Sequence, residues 1–235
     1  MPTRMPVAHE VMFGSYEGLL LIAHMIPHGK CTGFYVVNPS TKEIEKVRQT
    51  PFEAEKSPYG PSNNVYGFGY DSREEDYKVV CVCHNVNSGA VRNVSVCPLK
   101  DQSWKKIEDY HLDKYRSRCD GDQPGVFVNG AIHWSPKTTT GTAAIVAFDL
   151  ELEKFCAFPC LDSMCQCNDL AVLGGSLCAY GKWEVSDNGT DIWVMREYGQ
   201  NDSWTKFRVT YDGFALSWSP LTLSRTGVVF QDLTR

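Results

Sequence analysis

Short apolar runs occur in pairs along this chain, each pair closed by a polar or glycine-bearing tip, and no long run carries the period of a helix. That recurrence constrains the fold more than any other feature. Tyr66, Phe68 and Tyr70 alternate with Gly67, Gly69 and Asp71, the two-residue period of a strand with one packed face. Asp71-Ser72 favours a turn, because short oxygen side chains bond nearby backbone amides. Arg73, Glu74, Glu75 and Asp76 form a charged, solvated tip, after which Tyr77, Val79, Val80 and Val82 resume a β-branched apolar run. The segment predicts a β-hairpin over 66–82.

Hairpins of this kind follow one another. A strand over 33–37 stops at Asn38-Pro39, where proline removes a ladder donor, and returns through Ile44 and Val47. Residues 51–64 read as loop. Further hairpins are expected over 94–107, over 126–134 with the turn dipeptide Asn129-Gly130, over 145–155, over 170–180 across Gly174-Gly175, and over 191–207. Equivalent points of the second hairpins, Val37, Cys97, Phe148 and Val194, are separated by 60, 51 and 46 residues. A period of about 50 residues with four strands each is the pattern of a β-propeller blade. The expectation is an all-β, kelch-like β-propeller of repeated four-stranded antiparallel blades forming an incomplete ring. Residues 1–13 are read as an N-terminal tail and 14–235 as about four full blades and part of a fifth. A β-sandwich, which also strings short strands on evenly spaced turns, is the alternative.

Composition narrows the function classes. Hydrophobic content of 43% and charged content of 22% are those of a globular domain with a sizeable core. A net charge of −5 lacks the basic footprint of a nucleic-acid partner. No apolar stretch is long enough to span a membrane, and the opening residues lack the pattern of a signal peptide, which points to a cytoplasmic or nuclear setting. Cys81, Cys97 and Cys178 lie in apolar runs as small hydrophobes. Cys81-x-Cys83 and Cys165-x-Cys167 are spaced more closely than structural zinc ligands. Reduced structural thiols are therefore expected, with disulfides or zinc as the alternatives and no cofactor.

No catalytic constellation emerges. Trp104, Trp134, Trp193 and Trp204 recur at blade positions that suit core packing. His133 reads as a structural histidine beside Trp134, and His24 and His28 have no nucleophilic motif as partner. Glu74, Glu75 and Asp76 read as solvated charge, since acid–base work needs a desolvated pocket. Gly67-x-Gly69 has no following helix and cannot cradle a phosphate. The chain is expected to be a non-enzyme.

Several pieces together carry a family resemblance. They are Gly67-Phe-Gly-Tyr-Asp-Ser72, Asp76-Tyr-Lys-Val-Val80, Asn38-Pro-Ser-Thr-Lys42, Ser103-Trp104, Val128-Asn-Gly-Ala-Ile-His-Trp134, Phe148-Asp149, Val172-Leu-Gly-Gly-Ser-Leu-Cys178, and Asp191-Ile-Trp-Val-Met-Arg-Glu-Tyr198 with Ser203-Trp-Thr-Lys206. In this order they resemble the type 1 F-box-associated domain of plant F-box proteins. The resemblance implies the target-reading half of a receptor that recruits proteins to a Skp–cullin–F-box ubiquitin ligase for ubiquitination. A Skp-type adaptor would be engaged only through an F-box, which the residues ahead of the first hairpin do not supply. An F-box-less paralogue that binds targets without delivering them, and a kelch-like carbohydrate-binding or enzymatic propeller, are the alternatives.

In an up-and-down blade, the link between strands two and three shares a rim with the link to the next blade. Segments 24–32, 84–92, 110–121, 136–142 and 182–190 are accordingly expected on one rim. Tyr110, Tyr115, Arg116, Arg118 and Trp183 are the partner-binding anchors expected there, because interfaces favour Tyr, Trp and Arg.

Overall fold

The computed structural model describes residues 9–26, 30–48, 62–85, 91–108, 124–135, 144–159, 167–181, 189–210, 218–224 and 227–232. Blade 1 comprises β1 (His9–Tyr16), β2 (Leu19–Ile26), β3 (Lys30–Asn38) and β4 (Glu43–Val47). Blade 2 comprises β5 (Ser62–Asp71), β6 (Asp76–Asn85), β7 (Val91–Pro98) and β8 (Lys105–Ile107). Blade 3 comprises β9 (Val126–Val128), β10 (Ala131–Trp134), β11 (Ala144–Asp149) and β12 (Lys154–Pro159). Blade 4 comprises β13 (Cys167–Leu173), β14 (Ser176–Gly181), β15 (Gly189–Met195) and β16 (Trp204–Thr210). A two-stranded sheet of β17 (Trp218–Ser224) and β18 (Gly227–Asp232) follows.

Within every sheet, consecutive strands pair antiparallel, as the hairpin repeat requires. The first strands are mutual neighbours: β1 packs on β5, β5 on β9, β9 on β13, and β13 on β17. Each sheet therefore radiates from an inner first strand to an outer last one, the blade arrangement of a propeller.

A strand of this kind is buried on both faces, and β6 shows how the sequence achieves it. Val79 and Cys81 face a core shared with Phe13, Leu21, Phe34 and Val36 of blade 1. Val80 and Val82 face a second core shared with Ile132, Trp134 and Phe148 of blade 3. The near-continuous apolar run 79–82 is what burial of both faces demands. The same alternation puts Leu177, Ala179, Trp193 and Met195 against blade 3, and Cys178, Tyr180 and Ile192 on the other side of blade 4.

Glycines on the inner strands allow the blades to close on one another. A Cβ on Gly67 would lie 2.4 Å from Ile132 Cγ2, and one on Gly69 would lie 2.3 Å from the Phe127 ring. The alternation of Gly67 and Gly69 with Tyr66, Phe68 and Tyr70 thus has a two-sided purpose. Aromatic side chains fill the blade 1 side, and bare backbone receives blade 3.

Blade 1 differs on its rear face. Val79 and Cys97, a cross-strand pair facing backwards from blade 2, are fully buried, as is the corresponding pair Ile132 and Phe148 in blade 3. The corresponding pair in blade 1, Leu20 and Val37, is only partly buried, and Ile44 opposite Val37 is 67% exposed.

Three sequence expectations need correction. The tail expected over residues 1–13 ends early, because β1 begins at His9 and buries Phe13. A bulge between Met12 and Gly14 breaks the two-residue period that would have marked this strand. Residues 62–64, read as loop, belong to β5 and pair with Asn85, His84 and Cys83. Val37, Cys97 and Phe148 are matched in blade 4 by Met195 rather than Val194. Met195 faces the preceding blade while Val194 faces the opposite core, and a slip of one residue exchanges the faces of a strand.

Candidate protein-interaction surface

The blades have two unlike ends. At one end lie the short turns, which are rigidly specified. Glu17-Gly18, Asn129-Gly130 and Gly174-Gly175 close the first hairpins of blades 1, 3 and 4, with positive φ at both residues of each pair. Longer tips repeat one device. Asn38 Oδ1 accepts from the amides of Ser40 and Thr41 at 3.0 and 3.3 Å, Asp71 Oδ1 from Arg73 and Glu74 at 2.9 and 3.2 Å, and Asp149 Oδ1 from Glu151 and Leu152 at 2.9 and 2.8 Å. Four residues after each comes a left-handed residue, Lys42, Glu75 or Glu153.

At the other end lie Ile26 and Lys30, Asn85 and Val91, Trp134 and Ala144, and Gly181 and Gly189, the strand termini that flank the links between second and third strands. Those links were expected to share a rim; most of their residues, and all of 110–121, lie outside the described residues. The expected anchors Tyr110, Tyr115, Arg116, Arg118 and Trp183 lie outside the described residues, as does His28.

On the short-turn end, charge is organised around Lys78, which is fully buried. Its ammonium pairs with Asp71, donates to Leu150 O at 3.0 Å and to Glu153 Oε1 at 3.2 Å, and lies 3.3 Å from Glu74 Oε2. Leu150 and Glu153 belong to blade 3, so this lysine fastens the tip of one blade to its neighbour. Burial alone would lower the Lys78 pKa, but its bonds to Asp71 and Glu153 hold it above the usual value. Burial would likewise raise Asp71, and the bonds from Lys78 and two backbone amides hold it below the usual carboxylate range. Asp76, read as solvated, is in fact buried. Its carboxylate accepts the Lys100 amide at 3.1 Å, which ties the second hairpin of blade 2 to the first.

Beside this node the inner strands converge on a group of aromatic rings. Tyr16 at the end of β1 stacks on Tyr70 at the end of β5, with centroids 6.0 Å apart. The edge of Phe127 from β9 meets Tyr16 at 4.8 Å, and Tyr77 meets Tyr70 at 5.0 Å. All four rings are partly exposed. Glu17 at the adjoining tip is exposed and sits in the left-handed region at φ 46°. Burial raises the pKa of Tyr16 and Tyr77, and the charge of Glu17 raises both further. Sequence reasoning identified Tyr70 and Tyr77 as strand residues and missed their grouping with Tyr16. The available signal was an aromatic just ahead of the first hairpin tip in both blades 1 and 2.

The remaining titratable candidates serve the structure. His133 is fully buried, with Nδ1 3.1 Å from Val126 O and Nε2 2.9 Å from the Tyr198 hydroxyl. Burial pushes the imidazole down to about 4, so it stays neutral and joins blade 3 to blade 4. His24 is partly buried on β2. Trp134, Trp193 and Trp204 are buried and Trp104 is partly so, which fits core packing. Their blade positions do not all match, since Trp134 lies on a second strand and Trp193 on a third. Cys97, Cys156 and Cys178 are free thiols, and Cys165 lies outside the described residues. Burial raises the thiols of Cys97 and Cys178 to about 12, which makes them inert packing groups.

Radial four-stranded blades with glycine-lined contacts and two distinct rims define a β-propeller domain. The model of the F-box associated beta propeller domain matches residues 6–225, and the chain belongs to that family. F-box protein CPR1 of Arabidopsis thaliana is 32% identical over 225 residues, covering 83% of this chain and 51% of that protein. An F-box/kelch-repeat protein of the same plant is 26% identical over 182 residues, covering 73% of this chain and 46% of that one. The chain thus spans about half the length of the curated relatives it matches. Among solved structures, a prolyl endopeptidase chain matches with a TM-score of 0.50 at 11% identity, covering 94% of this chain and 32% of that chain. At that identity the likeness concerns the fold alone. No helix among the described residues is long and apolar enough to cross a membrane.

Proposed function

We propose that this chain is the target-recognition domain of an F-box protein, a non-enzymatic interaction module that brings target proteins to a Skp–cullin–F-box ligase for ubiquitination in the cytoplasm or nucleus. The family match over residues 6–225 carries this reading. The relatives, which are F-box proteins, support it. A rigid scaffold with one end of short tips and one end of long links suits such a role, because binding residues concentrate on loops held by a stiff frame. We assign Tyr110, Tyr115, Arg116, Arg118 and Trp183 as anchors on the long-link end. Adaptor contact would belong to an F-box segment rather than to the propeller.

Immunoprecipitation of the protein from plant cells under proteasome inhibition tests the proposal. Skp-type adaptor and cullin should co-purify, together with proteins carrying ubiquitin. Stable partners without adaptor would replace delivery with binding alone, and the absence of any specific protein partner would overturn recognition itself. Alanine at all five anchors should abolish the specific partners, and undiminished binding would remove those residues from the role.

A further inference from the structure

We infer that the aromatic mouth at the short-turn end, formed by Tyr16, Tyr70, Tyr77 and Phe127 beside Glu17, is a second docking surface that receives an arginine- or lysine-bearing extended segment of a partner protein. This inference rests on the reading of the chain as a protein-recognition domain, and it places a contact on the rim opposite the long links.

The mouth differs from the rest of the short-turn end. The residues that match Tyr16 ahead of the first hairpin turn in blades 3 and 4 are Val128 and Leu173, which are buried aliphatics 8% and 1% exposed. Packing at this position therefore needs no aromatic ring. Blades 1 and 2 instead present phenols that keep part of their surface in water. Partly exposed tyrosines offer a large contact area with few rotors to freeze, which is why they recur as interface anchors.

The charge beside the rings selects the partner. Glu17 is exposed, is held at a left-handed tip, and acts on both Tyr16 and Tyr77. Glu75 stands exposed on the neighbouring tip, also with positive φ at 52°. The neighbouring lysine, Lys78, is buried and already bonded to carboxylates, so it does not neutralise the mouth from outside. Ring faces next to a carboxylate suit a guanidinium or ammonium, which gains cation–π attraction and an ion pair together. Arginine fits better than lysine because its planar head stacks while it bonds.

The test uses the whole 235-residue chain and short fluorescein-labelled peptides alternating glycine with arginine, lysine or glutamate, read by anisotropy at physiological salt. The arginine peptide should bind most tightly and the glutamate peptide should not bind. Glu17→Lys leaves the packing untouched and should weaken arginine-peptide binding about tenfold, the loss of an ion pair and part of a cation–π contact. Tyr70→Ser should weaken it similarly. Glu10→Lys, which alters charge at the opposite end of β1, should leave binding unchanged. Equal weakening by Glu10→Lys and Glu17→Lys would reduce the effect to net charge and overturn the inference, as would no binding by the arginine peptide. Sedimentation of the free chain checks the other occupant: a dimer dissolved by Glu17→Lys would assign the mouth to a second copy instead. Immunoprecipitation separates this inference from the reading beneath it. If the Glu17→Lys protein keeps every partner of the unaltered one, recognition stands and the mouth is not its surface.

Discussion

Gly67→Ala tests the view that bare backbone on β5 is what lets blade 3 seat on blade 2. The added methyl would stand 2.4 Å from Ile132 Cγ2 and 2.9 Å from Trp134 Cζ2, both inside any tolerable carbon–carbon contact. Neither neighbour is a free end: Ile132 is fully buried, and Trp134 is anchored by its indole N–H donating to Tyr66 O at 3.3 Å. Alanine stiffens the unfolded chain and on that account would stabilise by about 0.4–1 kcal/mol. Overpacking of a filled core costs about 1–3 kcal/mol and wins. The net loss should be about 1–2 kcal/mol, which lowers the melting temperature by roughly 2–8 °C in a chain of this size. Urea unfolding followed by tryptophan fluorescence measures it. Ile132→Ala alone should cost about 2–5 kcal/mol, yet it deletes the Cγ2 that the new methyl strikes. The double variant should therefore be more stable than the sum of the two by about 1 kcal/mol or more. Ile132→Val keeps Cγ2 and should give no such relief. A Gly67→Ala protein as stable as the parent, or strict additivity with Ile132→Ala, would refute the close-approach account.

Other consequences follow from the same geometry. Burial holds His133 at about 4 when folded against about 6.5 when unfolded, so the unfolded chain takes up the proton first as pH falls. Its contribution is complete above about pH 6.5 and fades towards pH 4, a loss on the order of 3 kcal/mol that His133→Gln should remove from the stability–pH curve. Lys78→Met leaves Asp71 and Glu153 without their shared cation and should cost about 3–5 kcal/mol, of which Asp71→Asn in the same protein recovers part. Purified protein should contain no stoichiometric zinc, and its melting temperature should be unmoved by chelator or mild reductant. A fall of several degrees with chelator would restore the Cys165/Cys167 metal reading.

Strand pairing was legible because it rests on local signals. Asn129-Gly130, Gly174-Gly175 and the Asp71 tip each fix a turn within a few residues, and the structure has a hairpin at each. Asp71 also does what its side chain suggested, bonding the amides of Arg73 and Glu74. The start of β1 was hidden by a bulge, and the β5 extension by polar residues that fall outside the apolar alternation. The burial of Asp76 could not be read, because its partner is the Lys100 amide in a different hairpin. Lys78 was harder still. Nothing within its own strand marks a lysine between Tyr77 and Val79 as the clasp for Leu150 and Glu153. The candidate surface followed the same division. Tyr70 and Tyr77 were visible as strand ends, but the approach of Tyr16 and Phe127 from two other blades depends on tertiary packing.

The sharing of blades 2 and 3 between two cores has a consequence for cooperativity. A blade whose two faces serve different neighbours cannot loosen without weakening both, so free energy is coupled step by step along the row of sheets. Amide protons in β6 and β10, clamped from both sides, should exchange only through large-scale opening. Those of blade 1 are less enclosed on the rear face, where Leu20 and Val37 are only partly buried and Ile44 is exposed. Among blades 1 to 3, blade 1 is therefore where opening costs least, and a gradient of exchange from blade 1 into blades 2 and 3 would trace the energetic wiring of the domain.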